Sequence, residues 1–471
     1  MYGLHASSFP SLPMFVRMSD DVFARFYGEN LFLFNRVNWA SSFIANATIL
    51  KSFITRKSTD FDVVVHKVAS ESSLSVEGVS VDLRAVLLPL ISDGYFDVET
   101  SCAGGDEVRD SGEMLSDAVS CKQTKDTTDE REAPLDFLFQ YLREHPTPYE
   151  LCIDLTQACT EKCVHCYAAD HKLEHLGWND VVRVLDEFKA MNGLKVTLTG
   201  GECMLHPDFK SILKYAAKSD FVISVLSNLT LCDGEMAWIL KDSHVAIVQT
   251  SLYGMKESQH ERITQRKGSL KETLSGIQRL KDVGVQVQIH CPVMRQNLDG
   301  YQAVVEFGRK MRLKVTCDAS LIARADHSDC NRECALADAE LKGFLRQAEG
   351  FVHFGTDAGD VDGDACVCDM GIMKLCLGAN GDYYPCNGCH GYKLGNCRIS
   401  TLQEVWNGSR MRCLRDMRIR DFQRCIRCES RMFCNVCPAR NFNATGSLTE
   451  PDPSLCRLAK CRRQIAMADE R

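Results

Sequence analysis

The sequence predicts an α/β chain built around a partial (β/α)6 TIM-like barrel, with a small winged-helix-like domain before it and a cysteine-rich domain after it. Three observations predict this. Strand-like and helix-like stretches alternate six times between residues 150 and 322. A polar, acidic stretch at 101–133 separates that series from a shorter strand-and-helix segment. Thirteen of the chain's 25 cysteines fall between Cys366 and Cys461.

The N-terminal segment comes first. NLFLFNRV alternates like a strand, and NWASSFIANATILKSFITRK, FDVVVHKVAS and VDLRAVLLPLISDG carry the apolar spacing of helices. DGYFDV reads as a turn and a short strand. This is a winged-helix pattern, but its charge argues against DNA binding. Residues 1–100 carry 8 basic and 11 acidic groups, whereas phosphate contacts need Lys and Arg. Residues 101–133 lack aliphatic periodicity and read as a flexible acidic linker. Cys102 and Cys121 within it are therefore not expected to be ligands. Residues 133–471 balance at 43 charges of each sign, so no part is a basic nucleic-acid-binding domain.

The barrel follows. Its strands are ELCIDLT, KVTLTG, FVISVLS, VAIVQTSLY, VQVQIHCPVM and LKVTCDASLI. Between them lie the helical patterns DVVRVLDEFKAM, PDFKSILKYAAK, EMAWILKD, LKETLSGIQRLKDVG and AVVEFGRKM. Six consecutive βα units imply a parallel sheet with helices outside, and ligand chemistry at the C-terminal ends of the strands. A hydrophobic content of 45% suits a packed core. No apolar run approaches the ~20 residues of a membrane span. MYGLHASSFPSLPMFVR lacks the charged and apolar regions of a signal peptide, so a cytoplasmic location is expected. There, cysteines at this density point to metal rather than to disulfides.

The loop after the first strand reads CTEKCVHCY and holds Cys159, Cys163 and Cys166. Three thiolates so close can hold three irons of a four-iron, four-sulfur cube and leave the fourth for another ligand. Cubanes in electron-transfer proteins usually have four cysteines. With Tyr167 directly behind the triplet, the sequence here resembles the radical S-adenosylmethionine (SAM) enzymes. The resemblance implies that TGGECMLHPDF, with Gly200, Gly201 and Glu202, meets the methionine amino group of SAM. It also implies that Tyr167 belongs to the cofactor site, and that Ser227 and Asn228 in VLSNLT and Ser251 in QTSLYG meet the ribose and carboxylate. An arginine that many relatives carry after the fourth strand is not evident. Lys271 and Glu272 occupy that region, which leaves the carboxylate partner open. In the implied mechanism the reduced cluster cleaves SAM, and the resulting 5′-deoxyadenosyl radical takes a hydrogen atom from substrate.

Farther on, Cys425, Cys428, Cys434 and Cys437 have spacings of two, five and two, a pattern expected by chance at well under about 1%. Upstream lies CDMGIMKLCLGANGDYYPC, from Cys368 to Cys386, with Gly381 in a hairpin turn; downstream lies Cys456. This resembles the SPASM extension of radical SAM enzymes, with two auxiliary [4Fe-4S] clusters, although the last spacing is two rather than the usual three. The resemblance assigns Cys425, Cys428, Cys434 and Cys456 to an outer cluster and Cys368, Cys386 and Cys437 to an inner one. For the inner cluster's fourth ligand Cys366, which we carry forward as the candidate, stands beside Cys376 and Cys389 and an iron left open to a substrate thiolate. Read alone, four-cysteine sets also suit structural zinc.

Weaker features complete the sequence. Cys203, Cys291 and Cys317 lie near strand ends and read as core residues. His290 and Asp318 are candidate proton acceptors. The seven arginines between Arg410 and Arg427 read as a solvated face. The N-terminal segment resembles the peptide-chaperone domain of pyrroloquinoline-quinone biosynthesis (PqqD-like, the RiPP recognition element), which implies capture of a leader peptide by strand addition. The expected division is residues 18–100 for recognition, 101–133 for the linker, 145–348 for the radical SAM barrel and 362–465 for SPASM. The expected function is maturation of a ribosomally made peptide, by a thioether or carbon–carbon cross-link, with a flavodoxin or ferredoxin as electron donor. Formylglycine formation of the anaerobic sulfatase-maturase kind and a zinc-stabilised scaffold are the rival readings.

Overall fold

A computed structural model describes residues 14–100 (apart from 20–21, 28, 36–40, 45–46, 55–56 and 73–74), 134–168, 173–347 and 363–469. The linker at 101–133, with Cys102 and Cys121, lies outside the described residues. The chain divides into two compact units, Met1–Tyr141 and Leu142–Arg471.

In the first unit the order is β1 (Met14–Met18), β2 (Val22–Tyr27), β3 (Asn30–Asn35), β4 (Ser41–Ile44), β5 (Thr59–Asp60), α1 (Phe61–Ser72), α2 (Val76–Ser92) and β6 (Phe96–Thr100). β2, β3 and β4 form an antiparallel meander, and β1 pairs with β5 and β6 in a second sheet. Leu31, Leu33, Phe53, Phe61, Leu83 and Leu87 meet in its core. Ser75 caps α2 by accepting from the Gly78 N–H at 3.1 Å, and Gly94 turns the chain into β6 at φ +76°. The helical expectation for residues 38–57 fails at the residues described there. Ser41–Ile44 pairs with Leu31–Phe34 as a strand, and only a 3-10 turn, Ala47–Phe53, follows. A four-residue segment has too few positions to separate strand from helix by periodicity, and sheet pairing decided it. β2, unread in the sequence, buries alternate residues at its C-terminal end.

Helix α3 (Pro134–Glu144) runs across the boundary of the two units, and the second carries the barrel: β7 (Glu150–Thr156), α4 (Trp178–Ala190), β8 (Lys195–Gly200), α5 (Phe209–Lys218), β9 (Val222–Leu226), α6 (Gly234–Asp242), β10 (Ile247–Ser251), α7 (Glu257–Thr264), α8 (Ser269–Asp282), β11 (Val287–Pro292), α9 (Tyr301–Met311) and β12 (Lys314–Asp318). All six strands are parallel in the order of the chain. The packing follows the sequence pattern. In α4, Val181, Val184, Leu185 and Phe188 fall on one face and are fully buried; burying such side chains contributes roughly 1.5–3 kcal/mol each. Cys203 and Cys291 are likewise core residues at 0% exposure, and Cys317 packs against that core.

Beyond α10 (Asp338–Gln347), the cysteine-rich region does not form a separate sheet. Its hairpin β13 (Lys374–Leu377) and β14 (Asp382–Tyr384) joins the barrel, β13 pairing in parallel with β7. β15 (Gly395–Asn396) closes a nine-stranded sheet in the order β12-β11-β10-β9-β8-β7-β13-β14-β15. Gly381, at φ +83°, makes the hairpin turn, a backbone region where a side chain is strained. Helices α11 (Leu402–Trp406), α12 (Ser409–Arg415), α13 (Gln423–Ile426), α14 (Pro438–Thr445) and α15 (Pro453–Asp469) complete the unit. Among the described residues no helix is long and apolar enough to cross a membrane.

Candidate active site

All six barrel strands send their C-terminal ends to one cavity of about 530 Å³, which residues of the β13–β14 hairpin and His390 also line. The size lies within the ~300–1,000 Å³ typical of small-molecule sites. Cys159, Cys163, Cys166, Tyr167, Gly200, Gly201, Ser227, Asn228 and Ser251 all face it.

The cysteine loop is held from several sides. The N–H groups of Lys162 and Val164 donate to the carbonyls of Thr264 (2.9 Å) and Ile263 (3.0 Å), at the C-terminal end of α7. That helix was not read from the sequence because ESQHERIT offers little apolar periodicity. Asn228 Nδ2 donates to Thr160 Oγ1 at 2.9 Å. Asn331 Nδ2 donates to the His165 carbonyl at 3.0 Å. A main-chain bond of 3.0 Å from the Cys166 N–H to the Cys163 carbonyl closes the turn between the last two cysteines.

The glycines of TGGE have a definite task. A Cβ on Gly200 would lie 2.3 Å from the Thr156 carbonyl, and one on Gly201 would lie 2.3 Å from that of Ala158. The close backbone approach is thus to the chain entering the cysteine loop, and Gly200 also sits at φ +131°. Glu202 departs from the expectation, because it is fully buried behind the cavity wall. Its oxygens accept from the Met204 N–H (3.0 Å), Ser227 Oγ (2.9 Å) and the Asn228 N–H (2.8 Å). Its carboxylate ties the second- and third-strand loops together, with its pKa still raised by burial.

The donor set suits an iron–sulfur cluster. Burial pushes the Cys159 thiol up to about 12 and those of Cys163 and Cys166 upward too, with the neighbouring thiols adding to the first two. Three such thiols become thiolates together only against a strong positive charge, which irons supply. The cavity also holds the complement of an anionic ligand. Arg324 lines it, and its Nε is buried with no hydrogen-bond partner among the described residues. The sequence reading missed this arginine, although its place just past the sixth strand was a usable signal.

Two histidine–carboxylate pairs face the same space. His290 Nε2 lies 2.7 Å from Asp318 Oδ2, joining two residues singled out in the sequence. Burial raises the Asp318 pKa, but His290 and the Ser320 N–H outweigh it and leave the group below its ordinary range. His390 Nε2 lies 2.6 Å from Asp154 Oδ2. The sequence carried no signal for that pair, whose members stand 236 residues apart.

The later cysteines separate into two neighbourhoods. Cys425, Cys428, Cys434 and Cys456 influence one another electrostatically. Cys368, Cys386, Cys389 and Cys437 form the second group. Cys434 and Cys437 both have extended backbones, and their thiols belong to different groups. The short spacing therefore preserves the division. Cys366 is exposed, and its backbone bridges to Arg418. Of the seven arginines, Arg415 donates to the Gly371 carbonyl at 2.8 Å, while Arg420 and Arg424 pair with Asp364 and Glu450.

Comparison with known proteins agrees with this geometry. Residues 153–308 match the model of the radical SAM superfamily, and residues 366–429 match SPASM, an iron-sulfur cluster-binding domain. The AdoMet-dependent heme synthase of Methanosarcina barkeri is 25% identical over 338 residues, covering 65% of this chain and 95% of that protein. The antilisterial bacteriocin subtilosin biosynthesis protein AlbA of Bacillus subtilis is 33% identical over 179 residues, 36% of this chain and 39% of AlbA. The crystal structure of Streptococcus suis SuiB bound to precursor peptide SuiA superposes with a TM-score of 0.57 at 16% identity, covering 94% of this chain and 100% of that one. The chain thus carries the domain of the radical SAM superfamily, with a SPASM iron-sulfur cluster-binding domain after its barrel.

Proposed function

We propose that this enzyme matures a ribosomally made peptide, by a thioether or carbon–carbon cross-link. The observation that carries the proposal is the shared cavity. The three-cysteine loop faces it at the strand ends, while the hairpin leading to Cys386 forms another part of its wall. A radical made at the loop would thus act within reach of a second cluster able to take up an electron. AlbA and SuiB support a peptide as substrate. The likeness to SuiB extends over 94% of the chain, whereas the likeness to the sulfatase-maturase structure with bound AdoMet and Cp18Cys peptide covers 68%.

Within the site, Cys159, Cys163 and Cys166 would hold the cluster that binds SAM. Together these cofactors supply a one-electron cleavage giving a 5′-deoxyadenosyl radical. Gly200 and Gly201 fix the loop, Ser227, Asn228 and Ser251 offer polar groups to the cofactor, Tyr167 flanks it, and Arg324 meets the methionine carboxylate. Cys425, Cys428, Cys434 and Cys456 would hold the outer auxiliary cluster, and Cys368, Cys386 and Cys437 the inner. His290, paired with Asp318, would accept the substrate proton. The unit before the linker would capture the leader through an edge strand such as β4, and a flavodoxin or ferredoxin would deliver the electron.

Co-expression with a short cysteine-containing peptide encoded beside the gene, followed by mass spectrometry, tests the proposal. Loss of two hydrogens per cross-link is expected; an unchanged mass contradicts it. A variant lacking residues 1–100 should no longer bind the peptide, and intact binding and modification would sink the recognition role.

A further inference from the structure

Three cysteines fix the inner auxiliary cluster in the reading above, and its fourth ligand decides what that cluster can do. The relevant feature is a turn that the chain uses three times. In Cys163–Cys166 the second cysteine's N–H donates to the first one's carbonyl at 3.0 Å, in Cys425–Cys428 at 3.1 Å and in Cys386–Cys389 at 3.1 Å. The first two turns each belong to a set proposed to hold a cluster. Cys434–Cys437 has the same spacing, lacks this bond, is extended at both cysteines and divides them between different sets. Two cysteines closing such a turn therefore mark one shared set in this chain.

The third turn is anchored where the inner set gathers. Asn443 Nδ2 donates to the Gly388 carbonyl at 2.9 Å and to the Ala323 carbonyl at 3.0 Å. Asn443 lies on α14, whose N-cap residue is Cys437. Cys389 is fully buried, and the other thiols that act on it are Cys386, Cys437 and Cys368. The two alternatives are held by other elements, although the Cys386 thiol also acts on Cys376. Cys366 is exposed. Cys376 is in register with Cys152 on β7 and packs with it and Tyr384.

We propose that Cys389 is the fourth ligand of the inner auxiliary cluster, completing the set Cys368, Cys386, Cys389 and Cys437. A cubane with four protein thiolates has no iron open to a substrate thiol. The inner cluster then exchanges electrons without binding the peptide. The assignment rests on the reading that Cys368, Cys386 and Cys437 hold a cluster.

The full-length protein, reconstituted anaerobically, tests it through iron content and electron paramagnetic resonance. Cys389→Ala should lose about one iron per chain of the roughly twelve in three cubanes, and the oxidised protein should show a [3Fe-4S] signal. Cys366→Ala and Cys376→Ala should match the parent. If Cys389→Ala does not fold, Cys389→Ser serves, with a shifted inner-cluster potential expected. With SAM present to occupy the barrel cluster, adding 2-mercaptoethanol should change the inner-cluster spectrum of Cys389→Ala and leave the parent's inner-cluster spectrum unchanged. A parent-like spectrum for Cys389→Ala or Cys389→Ser, a [3Fe-4S] signal from Cys366→Ala, or a thiol-responsive inner cluster in the parent would overturn the assignment. These spectra need no peptide, so an unmodified peptide beside the expected spectra would remove the functional proposal and leave the ligand standing.

Discussion

The barrel and the cysteine-rich region both present cysteines to metal, but they encode their sites differently. In the barrel, Cys159, Cys163 and Cys166 lie within eight consecutive residues of one loop, so the ligand set is nearly complete as a local motif. In the C-terminal region each set is assembled from distant segments: Cys368, Cys386 and Cys389 come from before and after the β13–β14 hairpin, and Cys437 from the start of α14. The local site announces its chemistry, whereas the dispersed sites need the fold to show which thiols belong together. The comparison also divides the labour. The barrel set faces the cavity with room for a further ligand, and the dispersed sets gather thiols from several segments of the C-terminal region.

The sharpest way to break this division is to remove one cysteine from each region. Cys163→Ala should abolish 5′-deoxyadenosine formation, and persistent SAM cleavage would refute the barrel assignment. Cys434→Ala and Cys437→Ala should keep SAM cleavage and lose peptide cross-linking by a factor of ten or more, with each perturbing a different auxiliary spectrum. A single spectrum affected by both would show that the extended segment does not separate the sets.

Arg324→Ala should weaken equilibrium binding of SAM roughly ten- to a hundred-fold, the equivalent of a charge-assisted hydrogen bond worth about 1.5–3 kcal/mol. Unchanged binding would move the carboxylate elsewhere. Gly200→Ala should destabilise the barrel by roughly 1–3 kcal/mol, seen as a lower melting temperature, since its Cβ meets the Thr156 carbonyl at 2.3 Å. An unshifted melting temperature would mean that the loop yields.

The smallest effect expected is acid-side stability. Despite the upward push of burial, His290 and the Ser320 N–H hold the Asp318 pKa below its ordinary value. A depressed folded pKa stabilises the protein above the unfolded value near 3.9, and that stability is lost as pH falls through the folded one. Asp318→Asn should flatten the stability curve below about pH 4. A curve identical to the parent's would remove the pair from the account.

Most of the barrel was legible because its elements are long and regular. ELCIDLT and KVTLTG are the observed strands β7 and β8 residue for residue. Legibility failed where tertiary pairing overrode local pattern. Ser41–Ile44 is too short to read, and α7 is too polar, yet its carbonyls hold the cysteine loop. It failed again where function depends on distant partners. Nothing local joins His390 to Asp154, or β13 to β7. The resemblance turned Glu202 toward the methionine amino group of SAM, whereas the structure shows its carboxylate turned inward to Ser227 and Asn228.

The most direct test of the division is one anaerobic turnover experiment with parent and Cys437→Ala enzymes and the peptide, measuring 5′-deoxyadenosine and peptide mass together. The account predicts 5′-deoxyadenosine from both, and loss of two hydrogens per cross-link from the parent alone. A cross-linked peptide from Cys437→Ala would contradict it.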